Sequence, residues 1–268
     1  MSDPNQGFQP PPPPPLPVAP AAPADTMSTP QTLTGIFFEP GRVFESLRHR
    51  PRFLVAALVI VIAFFAYYIS YIQKVGYENL ITAELNSGTR GQQMSAEDRE
   101  RSIHVQMNPA IKALRYGGPI ITLALFFSIG GALYLLGVML VGKSLTYKQA
   151  LSVWTYSSLP PTLLIMLLNI ILLFIRTPDD DLGIVRGQSG LVHANPGLFI
   201  DGHAAPMLAS AAAGFDLFAF YGLFLAALGL RKVGRLSSGS AWGIALGLWL
   251  LGMILKITFA AILGRQIG

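Results

Sequence analysis

Apolar positions along the chain gather into five long stretches that polar residues hardly interrupt: Phe53–Ile72, Pro119–Val141, Ala150–Ile175, Met207–Leu230 and Ala241–Leu263. Each is about 20 residues or longer, the length an α-helix needs to cross a hydrocarbon core about 30 Å thick. Each is bounded by charge, glycine or proline, which end helices or meet headgroups. Membrane β-strands alternate apolar and polar positions, and none of these stretches does. The pattern predicts an all-α integral membrane protein, a bundle of five transmembrane helices occupying residues 53–268.

Two different segments precede the first span. Residues 1–32 contain six consecutive prolines, Pro10–Pro15, followed by "LPVAPAAPADTMSTP". So little apolar content cannot form a core, which predicts a disordered Pro-rich N-terminal tail of polyproline-II character. Such a tail serves either as a ligand for an aromatic groove on a partner protein or as a spacer. Residues 33–52 read as an interfacial amphipathic segment. Pro40 opens a short helix in which Val43, Phe44 and Leu47 share one face. With Ile36-Phe37-Phe38, that face is expected to rest on the bilayer surface. Arg48, Arg50 and Arg52 then lie at the phosphate level, with Arg42 at the start of the same helix.

Composition agrees with the pattern. Of 268 residues, 52% are hydrophobic and 12% charged, against about 25% charged in soluble domains. The net charge of +5 comes from Lys and Arg at the ends of apolar runs, which points to anionic lipid headgroups rather than nucleic acid. Arg42, Arg48, Arg50 and Arg52 precede span 1, Lys143 and Lys148 lie between spans 2 and 3, and Arg231, Lys232 and Arg235 between spans 4 and 5. These regions share a side if there are five spans, so the bias of basic residues toward the inside gives a cytoplasmic N-terminus and an outside C-terminus. The chain has no cysteine, which excludes disulfide frameworks and thiolate metal sites. It has no N-x-[ST] sequon, and no basic-then-apolar leader precedes the tail, so span 1 is expected to act as its own insertion signal.

The loops are unequal. Residues 73–118 carry six basic and five acidic side chains. Ser95 and Asp98 there have capping-box spacing, which predicts a solvated helical extension. The segment after span 3, "TPDDDLGIVRGQSGLVHANPGLFIDGHAAP", is rich in turn residues and suits a hairpin around Gly187–Gly190.

Candidate chemistry is sparse. Gly137–Ser144 matches G-x-x-x-x-G-K-[ST], yet its four intervening residues are apolar and close a span, where backbone groups must stay helically paired. Lys143 is a better membrane-surface anchor than a phosphate ligand. His193, Asp201, His203 and Asp179–Asp181 share a loop without spacing that would fix metal ligands on one face. No nucleophile elbow, H-E-x-x-H or general-base constellation occurs. The residues predict no enzyme, no cofactor and no metal.

Three features inside the spans carry more. Ser157-Ser158-Leu159-Pro160-Pro161 lies mid-span, where each proline removes a backbone donor and crowds the preceding turn. A kink is expected, with Tyr156, Ser157 and Ser158 supplying hydroxyls and Asn169 bonding across helices. It is either a shape-setting bend or a broken helix lining a cavity. Small residues at Gly130-Gly131, Ala209–Gly214, Gly222 and Gly243-x-x-x-Gly247 mark close helix approach, within one chain or in a homo-oligomer. Finally, Asp216 and Lys256 lie about equally far from the turn joining spans 4 and 5. Either they pair at shared depth, or Gly214 breaks the span so that Asp216 caps a helix while Lys256 reaches outward.

In "GIFFEPGRVFESLRHRPRF", "SLTYKQALSVWTYSSLPPTLL" and "GFDLFAFYGLFLAALGLRKVGRLSSGSAWGIAL", the chain resembles the Yip family, named for Ypt/Rab-interacting proteins, in its prokaryotic branch. The resemblance implies five spans and a cytoplasmic N-terminus. It also implies membrane-traffic work with Rab-type GTPases in eukaryotic members, and no catalytic residues to carry over. Asp216 and Pro160-Pro161 are pattern positions of that family; the tail and residues 73–118 fall outside it. The expected function is a non-enzymatic membrane scaffold or adaptor in a bacterial cytoplasmic membrane, making protein contacts through the tail. The alternative is a small transporter or channel subunit, with span 3 and the Asp216–Lys256 pair lining its path.

Overall fold

The computed structural model describes residues 27–87, 93–176, 191–192, 194–202 and 204–263. The described part is helical and contains no strand. In chain order the helices are α1 (Thr29–Phe38), α2 (Pro40–His49), α3 (Leu54–Val75), α4 (Tyr77–Ser87), α5 (Ala96–Gln106), α6 (Pro109–Leu140), α7 (Tyr147–Ile175), α8 (Pro206–Ala213), α9 (Leu217–Gly234) and α10 (Ser238–Leu263), with a short 3-10 helix at Pro196–Phe199. Among the described residues, α3, α6, α7, α9 and α10 are long and apolar enough to cross a membrane.

The N-terminal boundary moves. The tail was expected to reach residue 32, but α1 begins at Thr29 because Ser28 and Gln31 form a reciprocal capping box. Met27 is already buried, and its N–H donates to Ser46 Oγ at 3.1 Å. The first 26 residues lie outside the described chain, so the tail prediction does too. Glu39-Pro40 then turns the chain sharply, since a residue before proline is pushed away from helical geometry.

The resulting α1–α2 hairpin corrects a second expectation. Its apolar face does not lie on lipid. Ile36, Val43, Phe44 and Leu47 are all fully buried, against the N-terminal part of α7 and the C-terminal part of α9. Gly229 makes room for this: a Cβ there would come within 2.8 Å of both the Phe44 ring and Val153. An amphipathic helix buries its stripe on whatever apolar surface is nearest, and here the bundle itself offers one. Phe38, at the hairpin corner and 86% exposed, is the part of the apolar trio left open to lipid.

Helix α7 is the centre of the bundle, packed against α3, α6 and α9. Its start is fixed by a capping box between Thr146 and Gln149. Glycines bring α6 close to it. At Gly130 a Cβ would stand 2.0 Å from the Trp154 ring, and at Gly131 3.0 Å from the Leu151 Cα. Trp154 also meets Tyr134 edge-on, with ring centroids 4.9 Å apart. Gly137 belongs to this packing as well, lying against Ile244 of α10. It is therefore a helix-contact residue at the head of the P-loop-like sequence.

The fourth apolar stretch, expected as one span over 207–230, is divided. Gly214-Phe215-Asp216 separates α8 from α9. Only α9 is long enough to cross, while α8 packs beside α10. Residues 73–118 are helical in part, as their capping signal predicts. Ser95 Oγ accepts from the Asp98 N–H at 3.1 Å, and Tyr77 stacks on Tyr116 with centroids 6.1 Å apart. The hairpin expected at Gly187–Gly190 lies outside the described residues.

Glycines in contact and glycines in the open make a direct test of this packing. Gly130→Ala should lower stability in mild detergent by about 1–3 kcal/mol, the usual cost of overpacking. Gly243→Ala, with nothing within 4 Å of the added methyl, should leave stability unchanged or raise it by up to about 1 kcal/mol, because alanine is the better helix former. Equal losses at both positions would mean that α6 and α7 do not approach as described.

Candidate functional site

Two polar regions stand out from the apolar bundle, one at each end. The first is on the side of the α1–α2 hairpin. There, buried polar groups join the hairpin to the spans. The Thr32 and Tyr156 hydroxyls share a hydrogen bond of 2.9 Å, with Thr32 fully buried. Gln149 Nε2 donates to the Arg48 carbonyl at 2.9 Å. Side-chain polar atoms in such surroundings are costly unless partnered, so these bonds fix where the hairpin sits.

The four arginines expected at the membrane surface divide in role. Arg42 pairs with Glu39 at 3.2 Å and Arg48 with Glu45. Arg52 donates to Thr29 Oγ1 at 3.0 Å, bracing α1 from the start of α3. Arg50 is exposed. The C-terminal turn of α9 and the α6–α7 connection add exposed Arg231, Arg235, Lys143 and Lys148 to the same end. The Lys232 stem lies along α2, its Cε 3.9 Å from where a Gly41 Cβ would stand. In that end the described acids are Glu39 and Glu45, each matched to an arginine. The remaining face is basic.

The second region is at the opposite end, around the α8–α9 break. Asp216 is the N-cap of α9: its Oδ1 accepts from the N–H groups of Phe218 (2.8 Å) and Ala219 (3.3 Å). Asn195 Nδ2 donates to Oδ2 at 3.1 Å, while Asn195 Oδ1 accepts from the Gly197 N–H at 3.0 Å and caps the 3-10 helix. Of the two readings open for Asp216, a pair with Lys256 or a helix cap, the structure shows the cap. The two charges act on each other through space, but no ion pair within 4.0 Å joins them. The reason is local: the first turn of a helix leaves N–H groups without partners, and an aspartate one residue ahead satisfies them.

Of the two readings open for the α7 prolines, the structure shows no break. The helix continues through Pro160 and Pro161 as one element. Ser157 and Ser158 both donate to the Trp154 carbonyl, at 3.0 and 2.9 Å. Pro161 packs at Gly222 of α9, its Cγ 3.6 Å from where a Cβ would be. Asn169 does not reach another helix. Its Oδ1 accepts from the Leu191 and Val192 N–H groups at 2.6 and 2.9 Å, holding the returning loop. Of the loop residues weighed for metal, Asp179–Asp181, His193 and His203 fall outside the described chain.

Sequence reading missed Thr32, Ser46, Gln149 and Asn195. Asn195 had a readable signal, since an asparagine directly before Pro196 is a common helix start. Thr32–Tyr156 had none, because its partners are far apart in sequence.

Comparison with known proteins adds a family. The family model described as the Yip1 domain matches residues 34–259. The chain is similar to Membrane protein YknW of Bacillus subtilis (strain 168), 28% identical over 224 residues that cover 81% of this chain and 84% of the relative. No solved structure matches it.

The cap can be tested by separating charge from hydrogen bonding. Asp216→Ala should cost about 0.5–2 kcal/mol in a detergent melt, whereas Asp216→Asn should cost a few tenths, because asparagine caps nearly as well. If both substitutions cost the same, the carboxylate's charge and not its capping is what matters.

Proposed function

This chain belongs to the Yip1-domain family, and from that membership we propose that it works as a non-enzymatic membrane scaffold or adaptor. Its contact surface is the basic face of the α1–α2 hairpin, together with the Pro-rich segment that leads into it. The observation that carries this reading is the seating of the hairpin. A helix pair held by a buried hydroxyl pair and by Phe44 against Gly229 presents one fixed surface at the bundle's end, as a docking platform needs. We place that end in the cytoplasm and the C-terminus outside, in a bacterial cytoplasmic membrane, on the basic residues gathered there. Anionic headgroups are the natural neighbours of Lys143, Lys148 and Arg235 at the rim.

The chain has no native cysteine, so single cysteines report without background. A photo-crosslinker at exposed His49 should capture the same protein partner in repeated preparations, and R42E/R50E should reduce that capture several-fold. A cysteine at Ser157, buried in the middle of α7, should resist polar reagents from both sides. A reactive cysteine there, with no crosslink at His49, would instead favour the transporter reading.

A further inference from the structure

The far end of α9 is too short for an ordinary bilayer. Its apolar part, Leu217–Leu230, rises about 21 Å, against a hydrocarbon core of about 30 Å. Beyond Leu230 come Arg231 and Lys232, which belong at the headgroups. Asp216, Asn195 and the N-terminus of α9 therefore lie several ångströms inside the level that the longer α10 reaches. Around them the chain exposes Phe199, Met207, Leu208, Phe215 and Leu217, apolar side chains suited to acyl chains.

Lys256 opens onto this place. On α10 the residues Trp249, Met253, Lys256 and Ala260 follow one another along a single face. Trp249 lies edge-on to Phe215, with centroids 5.5 Å apart. Met253 Sδ is 2.7 Å from where a Gly214 Cβ would stand, and Ala260 is fully buried. Lys256 is thus turned toward the α8–α9 break and half-buried. Among the described residues no acceptor reaches its ammonium. The nearby Asp216 takes three hydrogen bonds of its own and does not come within 4.0 Å of the ammonium. An ammonium has three donors to satisfy, and leaving them bare at this depth is costly. A short span meets the bilayer by drawing the leaflet inward, which brings phosphate groups down to that level.

We propose that Lys256, beside the Asp216–Asn195 cap, is a phosphate site for a phospholipid of the far leaflet, whose headgroup sinks into the dip at α9 and whose acyl chains lie along α8 and α10. The phosphodiester accepts from the Lys256 ammonium. The Asp216 Oδ1 faces the first N–H groups of α9, whose positive helix end weakens the carboxylate's repulsion of a phosphate. This site lies at the opposite end from the proposed contact surface and does not depend on that reading.

The test uses the full chain in maltoside micelles, with melting temperature as the readout. Dioctanoyl phosphatidylglycerol near saturation should raise it by about 5 °C. Dioctanoylglycerol, with the same chains and no phosphate, should not. Lys256→Met should remove more than about half of the rise, Lys256→Arg should keep it, and Asp216→Asn should keep or increase it. No rise in the parent, or an undiminished rise in Lys256→Met, overturns the site. A full rise with inorganic phosphate alone overturns the lipid as its source. Should Lys256→Met fail to fold, the dip is tested alone. A single cysteine at Phe215, in nanodiscs of phosphatidylethanolamine and phosphatidylglycerol, should react with a charged maleimide as fast as a cysteine at Ser144. An unreactive cysteine there overturns the proposal.

Discussion

Much of the described structure is arranged around one constraint: inside hydrocarbon, a polar group left without a partner is costly, so most find one within the chain. The central helix α7 shows how far this reaches. It carries two prolines and a run of hydroxyl residues, yet Ser157 and Ser158 fold their donors back onto the Trp154 carbonyl. Tyr156 spends its hydroxyl on Thr32 of the hairpin, and Asn169 spends its carbonyl oxygen on the loop beyond. Tyr156 and Asn169 are therefore attachment points for the hairpin and the loop, while Ser157 and Ser158 are satisfied within α7 itself.

The same constraint explains the break in the fourth stretch. A helix beginning inside the membrane leaves N–H groups open, so Asp216 and Asn195 are needed where α9 and the 3-10 helix start. On the opposite face of the bundle, shape does the comparable work. Gly130, Gly131 and Gly229 let α6, α7, α9 and the hairpin approach until side chains of one lie where the other would carry a Cβ. Small residues at contacts are how helices gain dispersion energy when lipid already satisfies their apolar surface.

Five membrane-crossing helices were legible from composition and run length alone, and the helix start signalled at Ser95 fell where it was expected, whereas the capping boxes at Ser28–Gln31 and Thr146–Gln149 went unread. What could not be read was which surface an apolar face would choose. Val43, Phe44 and Leu47 share a face by spacing, but spacing does not say whether lipid or a glycine on α9 receives it. The role of Asp216 was equally undecided, because a cap and a pair at shared depth need the same residues. The difference lies in the turn at Gly214-Phe215, and that depends on how α8 rests on α10. The Yip resemblance read from three short segments is supported by the family match over residues 34–259. The family, in turn, names no chemistry for these side chains.

One side chain shows how the hairpin and bundle are joined electrically. Gln149 closes the first turn of α7 with its Oε1, which accepts from the Thr146 N–H at 2.9 Å. Its Nε2 reaches the Arg48 carbonyl at the last turn of α2. One amide thus bridges the negative end of one helix macrodipole and the positive end of another, each worth about half an elementary charge. Lifting α2 away would leave the Arg48 carbonyl and the Gln149 amide without each other, so the hairpin is held by this contact between helix ends as well as by packing.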